Sequence, residues 1–142
     1  NLKLEETGRN GELFTMRYEE TRTGMTPVWE SFETNLVGYD IISCIDSDNM
    51  DQLLIEVKTS LMDINHAKMT LSRHEWNVAV LQRQNSTYKF YLWLIGNNVE
   101  LAIIDVDEIL MHIPKEQGVG KWQSIDIPFA FFKNHFFRIE KQ

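Results

Sequence analysis

At 142 residues, with 43% hydrophobic and 25% charged side chains, the chain is long enough for one domain to bury a core without a metal or disulfide. Its lone cysteine, Cys44, excludes an internal disulfide, and 14 Lys and Arg against 21 Asp and Glu give a formal charge of −7. Such a balance excludes holding nucleic acid by bulk charge alone, because that mode neutralises phosphates with a basic surface. No apolar run approaches the ~18 residues of a membrane helix, and no basic-then-apolar start marks a signal peptide. The expectation is a single cytoplasmic domain over 1–142, which the start at Asn1 suggests was cut from a longer protein.

Gly8 to Glu20 is compatible with a first helix, with Leu13, Phe14, Met16 and Tyr18 as its apolar side chains in an imperfect period. Gly24 and Pro27 punctuate a break. Val28 to Phe32 alternates as a short strand, and Val37 to Ile45 is a second strand entered through Gly38. Ser47 to Asp51 is a polar turn, and Leu53 to Ser60 a third strand rich in β-branched residues. Ser72-Arg73-His74-Glu75 has the form of a capping box, with Trp76, Ala79, Val80 and Arg83 following at helical spacing. Tyr88 to Ile95 is nearly all apolar and so a central strand. Asn97-Asn98 turns into a fifth strand, Val99 to Ile104, and Asp105 to His112 is a short helix. The aromatic tail, with Trp122, Phe129, Phe131, Phe132, Phe136 and Phe137, closes the core with a final strand and a short helix. This order of elements predicts an α/β fold, a mixed sheet flanked by helices.

Chemistry concentrates on the third strand. Leu53, Ile55 and Val57 point one way and Leu54, Glu56 and Lys58 the other, because side chains alternate along a strand. Taken alone, Glu56 and Lys58 read as an ion pair on a solvated sheet face. Asp40 changes that reading. It opens an apolar strand joined to Glu56's strand by one polar turn, so the two acids can converge as hairpin neighbours. Two carboxylates on rigid strands suit a hard cation such as Mg²⁺, which takes one or two protein carboxylates and keeps waters. Lys58 beside them can steady a water or offset charge building on a phosphate oxygen. Glu12, in Gly11-Glu12 on the first helix, is a third acid, which by itself reads as a solvated helix-start carboxylate.

The ordered set Gly11-Glu12, Gly38-Tyr39-Asp40-Ile41 and Ile55-Glu56-Val57-Lys58-Thr59-Ser60 resembles the PD-(D/E)xK nuclease superfamily, and within it the NO VEIN C-terminal domain and the Mrr-type restriction endonucleases. Ser72-Arg73-His74-Glu75-Trp76 and the strand Tyr88 to Ile95 fit the same branch, so the resemblance spans roughly Gly8 to Ile95. Tyr39 stands where the superfamily motif ideally has proline. The resemblance implies a restriction-endonuclease-like mixed sheet and a metal-dependent endonuclease hydrolysing DNA phosphodiester bonds in a restriction or anti-phage defence protein. It implies Asp40 and Glu56 as metal-binding acids, helped by the backbone carbonyl of Val57. Lys58 would activate the attacking water, and Glu12 would lie on a second metal or on Lys58. Mg²⁺ is the implied cofactor, with Mn²⁺ as substitute.

Arg73, His74, Lys68 and Arg9 are candidate phosphate contacts, with Arg17 and Arg83 behind them, against the plainer reading of scattered solvated charges. Arg73 and His74 lead because they sit in the first turn of the capped helix. The four histidines lack metal-ligand spacing, and no Gly-x-Ser-x-Gly elbow supports acyl transfer. The acidic balance implies that other domains or subunits, such as a helicase or ATPase, deliver the DNA. It also favours a second function, a binding or scaffold module that keeps the nuclease fold without cutting. An RNA-cutting member of the fold is chemically equivalent. The oligomeric state is left open.

Overall fold

A computed structural model describes residues 2–30, 38–116, 118 and 120–140. Helix α1 spans Leu2–Thr23, strand β1 Val28–Trp29, β2 Ile41–Asp46, β3 Asn49–Ser60 and β4 Lys68–Ser72. Helix α2 follows at Arg73–Gln82, then β5 Thr87–Ile95, β6 Val99–Asp105 and α3 Val106–Leu110. The tail forms β7 Ser124–Pro128, a 3₁₀ helix Phe129–His135 and β8 Phe137–Arg138. Among these residues a mixed sheet runs in the order β1-β2-β3-β5-β6-β8, and β4 pairs with β7 in a separate ribbon. β3 and β5 pair in parallel, and the other neighbours are antiparallel.

The parallel pair is the centre, which explains its composition: strands covered on both faces read as continuous apolar runs rather than alternating ones. One face carries Leu54, Phe90, Leu92 and Ile104 under Trp76 and Ala79 of α2, with Met69, Leu71 and Phe129 closing the layer. The other carries Leu53, Ile55, Val57, Tyr91 and Trp93 under Phe14, Met16 and Tyr18 of α1. The alternation expected for β3 therefore holds, and the two sides of that strand face two different cores.

The hairpin β2–β3 turns on Ser47-Asp48 rather than the longer Ser47 to Asp51. Asp46 Oδ1 accepts the Asp48 N–H at 2.8 Å, a local side-chain bond that replaces missing backbone pairing and lets β3 begin at Asn49. The first helix extends beyond Gly8 to Glu20 at both ends. Its buried line is Thr7, Gly11, Thr15, Glu19 and Thr23, whereas Leu13 is exposed. Thr7, Thr15 and Thr23 each give their hydroxyl hydrogen to the carbonyl four residues back, which satisfies those donors inside the helix. Glu19 receives the Arg22 guanidinium and the Tyr91 hydroxyl, the latter at 2.7 Å. Arg22 also reaches the carbonyls of Cys44 and Ile45 at 2.5 Å, tying α1 to the end of β2. Ser31 and Phe32 of the expected first strand and Val37 of the second lie outside the described residues.

Candidate active site

The register Ile41↔Ile55 places Asp40 beside Glu56 at the open end of the hairpin. Asp40 is fixed there by its own backbone: its N–H donates to the Ile55 carbonyl at 2.9 Å, and its carbonyl accepts from Glu30 N–H at 2.8 Å. Its side chain continues the ladder where β2 has not yet begun, since Oδ2 accepts the Val57 N–H at 2.7 Å. A one-residue slip of this hairpin would send Asp40 to the opposite face from Glu56. Tyr88 holds the approach to Asp40 by donating its hydroxyl to the Gly38 carbonyl at 3.0 Å.

Glu56 is almost wholly buried, at 4% exposure, on the α2 side of the sheet. Its carboxyl is an electrostatic neighbour of both Asp40 and Glu75. Lys58 Nζ stands 3.6 Å from Glu56 Oε2, 2.9 Å from Glu75 Oε1 and 2.8 Å from the Thr70 carbonyl, which it meets as a donor. Glu75 is the third residue of the α2 capping box: its Oε1 accepts Ser72 N–H at 2.9 Å, and Ser72 Oγ accepts Glu75 N–H at 3.0 Å. The capping signal in the sequence thus marks a residue that also touches the site.

Three carboxyls crowded around one ammonium set the electrostatics. Burial, then the neighbouring Asp40 charge, pushes Glu56 well above the usual carboxylate range despite Lys58. Asp40 is also raised, by burial, against the opposing pull of the Val57 N–H, the Glu56 bond and Lys58. Burial lowers Lys58, but the charges of Glu56 and Glu75 outweigh it and hold the ammonium above its ordinary value. Glu75 goes the other way: burial raises it, and Lys58 with the Ser72 N–H more than compensates. Burial and the neighbouring carboxyl thus both disfavour a second negative charge beside Asp40.

Glu12 enters from α1. Its Oε1 accepts the Trp29 indole N–H at 2.9 Å. Burial raises its pKa to about 7, the indole lowers it, and the Asp40 charge raises it again, so Glu12 and Asp40 are electrostatic neighbours. Gly11 lets α1 approach this closely: an added Cβ would stand 1.8 Å from Thr59 Oγ1.

The donor set fits a hard divalent cation. Among the described residues no three or more His, Cys, Asp and Glu side chains gather as a complete metal cage. Mg²⁺ does not need one, since it takes one or two carboxylates, retains waters and finds further oxygens on a phosphate. Asp40 and Glu56, side by side at the end of the hairpin, supply that number.

The candidate phosphate contacts are placed less favourably. Arg73 pairs with Glu116 and lies over the Trp122 ring, 4.6 Å from its centroid. Lys68 pairs with Asp126 at 3.1 Å across the β4–β7 ribbon. His74 is exposed on α2, and Arg9 is exposed on α1. Arg83 pairs with Asp107, and Arg17 lines an apolar cleft of about 270 Å³ with Phe14, Tyr18 and Trp93, on the α1 side of the sheet.

The model of a family described as Protein NO VEIN, C-terminal, matches residues 11–104, more than half of the chain. Glu12, Asp40, Glu56, Lys58 and Glu75 all fall inside that segment. The fold is similar to that of Hjc, a Holliday junction resolvase from the archaeal hyperthermophile Archaeoglobus fulgidus. The two share 14% sequence identity and a TM-score of 0.54, over 96% of this chain and 92% of the resolvase chain. No curated protein matches by sequence.

Proposed function

The chain belongs to the NO VEIN C-terminal family, and from that premise we propose that it is a metal-dependent endonuclease domain that hydrolyses DNA phosphodiester bonds. One observation carries the reading: the hairpin register sets Asp40 beside Glu56 at its open end, with the Lys58 ammonium 3.6 Å from Glu56. A fold similar to that of a Holliday junction resolvase supports DNA as the substrate. Resemblance to Mrr-type nucleases supports a restriction or anti-phage setting, with a helicase or ATPase part delivering the DNA.

Asp40 and Glu56 would hold Mg²⁺ or Mn²⁺, with the Val57 carbonyl between Glu56 and Lys58 on the same strand. The bound ion would supply Lewis-acid polarisation of the phosphoryl oxygen and a more acidic water. The remaining work falls to the chain. Lys58 would donate to the attacking water or to a non-bridging phosphate oxygen, offsetting charge that builds there in the transition state. The Val57 N–H and the Gly38 to Asp40 backbone keep the Asp40 carboxylate aimed at the site. Glu12, beside Asp40 and tethered to Trp29, would add a third carboxylate on the substrate side. Burial of Glu56 excludes water from one flank and strengthens each of these interactions.

The charge of −7 favours one other reading, a nuclease-fold module that binds without cutting. Nicking of supercoiled plasmid separates them. Wild type with Mg²⁺ or Mn²⁺ should nick, and chelator, Asp40→Asn or Lys58→Ala should abolish it, the lysine change by roughly 10²–10³-fold as for loss of a transition-state donor. Equal nicking by folded Asp40→Asn would refute the assignment. A wild type that binds the metal yet leaves every DNA intact would favour the scaffold.

A further inference from the structure

The capped start of α2 meets the proposed active site through a single side chain. Glu75 Oε1 accepts the Ser72 N–H and the Lys58 ammonium, each at 2.9 Å. Lys58 Nζ spends a second hydrogen on the Thr70 carbonyl at 2.8 Å, two residues before the N-cap Ser72. An ammonium has three hydrogens. With two spent on α2 and β4, one remains, and the nearest Glu56 oxygen stands 3.6 Å from the nitrogen. A lysine is ordinarily a mobile point charge on a flexible stem. Here two acceptors fixed by backbone geometry remove that freedom.

We infer that Glu75 is a positioning residue: through its contact with Lys58 it fixes the ammonium over Glu56, so that the helix cap holds the catalytic lysine in register with the metal-binding pair. The inference rests on the nuclease reading for its functional consequence, but the contact itself does not depend on it. Glu75 is also an electrostatic neighbour of Glu56 and Asp40, so the test reads Lys58 directly. Its effect is on the rate-determining geometry rather than on holding DNA. Glu75→Ala removes the oxygen that Lys58 meets, whereas Glu75→Gln loses the charge but keeps an amide oxygen that can accept both the Ser72 N–H and the Lys58 ammonium.

Two measurements test this. In metal-free protein, acylation of Lys58 by a small amine-reactive ester, read by mass spectrometry, should be several-fold faster in Glu75→Ala than in wild type, with Glu75→Gln between them. In single-turnover cleavage with Mn²⁺ at saturating metal and DNA, Glu75→Ala should lose at least about tenfold in rate and Glu75→Gln less. Ser72→Ala is the control for a merely structural role, since it removes the reciprocal cap bond yet leaves the Glu75–Lys58 contact. It should lower the melting temperature and keep the wild-type cleavage rate. Equal Lys58 acylation and equal cleavage in Glu75→Ala and wild type would overturn the inference. So would a Ser72→Ala rate as low as that of Glu75→Ala. Failure of the nuclease reading looks different. Wild type would then neither bind Mn²⁺ nor cut, while faster Lys58 acylation in Glu75→Ala would still support the positioning contact.

Discussion

Removing the Glu12 charge should stabilise the metal-free protein at alkaline pH and flatten its pH dependence. Glu12 is raised from 4.5 to about 7, first by burial and then by Asp40 against the pull of Trp29. The sign follows from proton counting. Between those two values the unfolded chain ionises Glu12 and the folded chain keeps it protonated, so the folded state binds more protons and loses stability as pH rises. Each unit corresponds to about 1.36 kcal/mol, which sets a ceiling of roughly 3 kcal/mol. The carboxyl is partly solvated, and screening brings the expected figure down to about 1–2 kcal/mol. Gln at this position can still accept the Trp29 indole N–H, so packing is retained. The assay is urea unfolding in chelator at pH 5 and pH 8. Wild type should be the more stable at pH 5, Glu12→Gln should gain stability over wild type at pH 8, and the two should converge at pH 5. A Glu12→Gln protein that is less stable than wild type at pH 8 would refute the reasoning. So would an unchanged pH slope.

Three further outcomes follow from the packing. Arg22→Met should cost about 3–5 kcal/mol, because it leaves the buried Glu19 charge without its guanidinium, and urea midpoints would show it. Tyr91→Phe removes one bond of 2.7 Å to the same carboxylate and should cost about 1.5–3 kcal/mol by the same measurement. Gly11→Ala drives a methyl into Thr59 and should cost about 1–3 kcal/mol, with partial recovery in Gly11→Ala/Thr59→Ala, read as thermal midpoints.

The site was legible where it depends on short-range pattern. Alternation along β3 put Glu56 and Lys58 on one face, and one turn put Asp40 opposite them. Those relations need only strand geometry and a hairpin. Glu75 was legible as a cap and not as a site residue, because its contact with Lys58 exists only once α2 is laid over β3 by the crossover to β5. The buried face of α1 was hidden for a related reason. An apolar stripe is the usual mark of a buried helix face, and Leu13 looked like part of one. The buried line is instead threonine, glycine and glutamate, acceptable because Tyr91 and Trp93 on a distant strand supply hydrogen-bond partners. The β4 strand shows alternating Met69 and Leu71, but its partner lies in the tail, and no local turn joins them. Arg73 illustrates the limit for charged residues. Its place at a helix start suggested a phosphate contact, and only the fold brings Glu116 and Trp122 to it.

Asp40 and Glu56 are proposed to form one cation site. Calorimetric titration of Mn²⁺ into the metal-free protein tests it most directly, run in two buffers of different ionisation enthalpy. Binding should be lost or weakened by about tenfold or more, ~1.4 kcal/mol, in both Asp40→Asn and Glu56→Gln. Wild-type binding should release a proton, because the raised carboxyl pair gives up the proton it holds when a cation arrives. Mn²⁺ binding of equal strength in wild type and both variants would place the ion elsewhere and contradict the account, as would a wild type that binds no divalent cation.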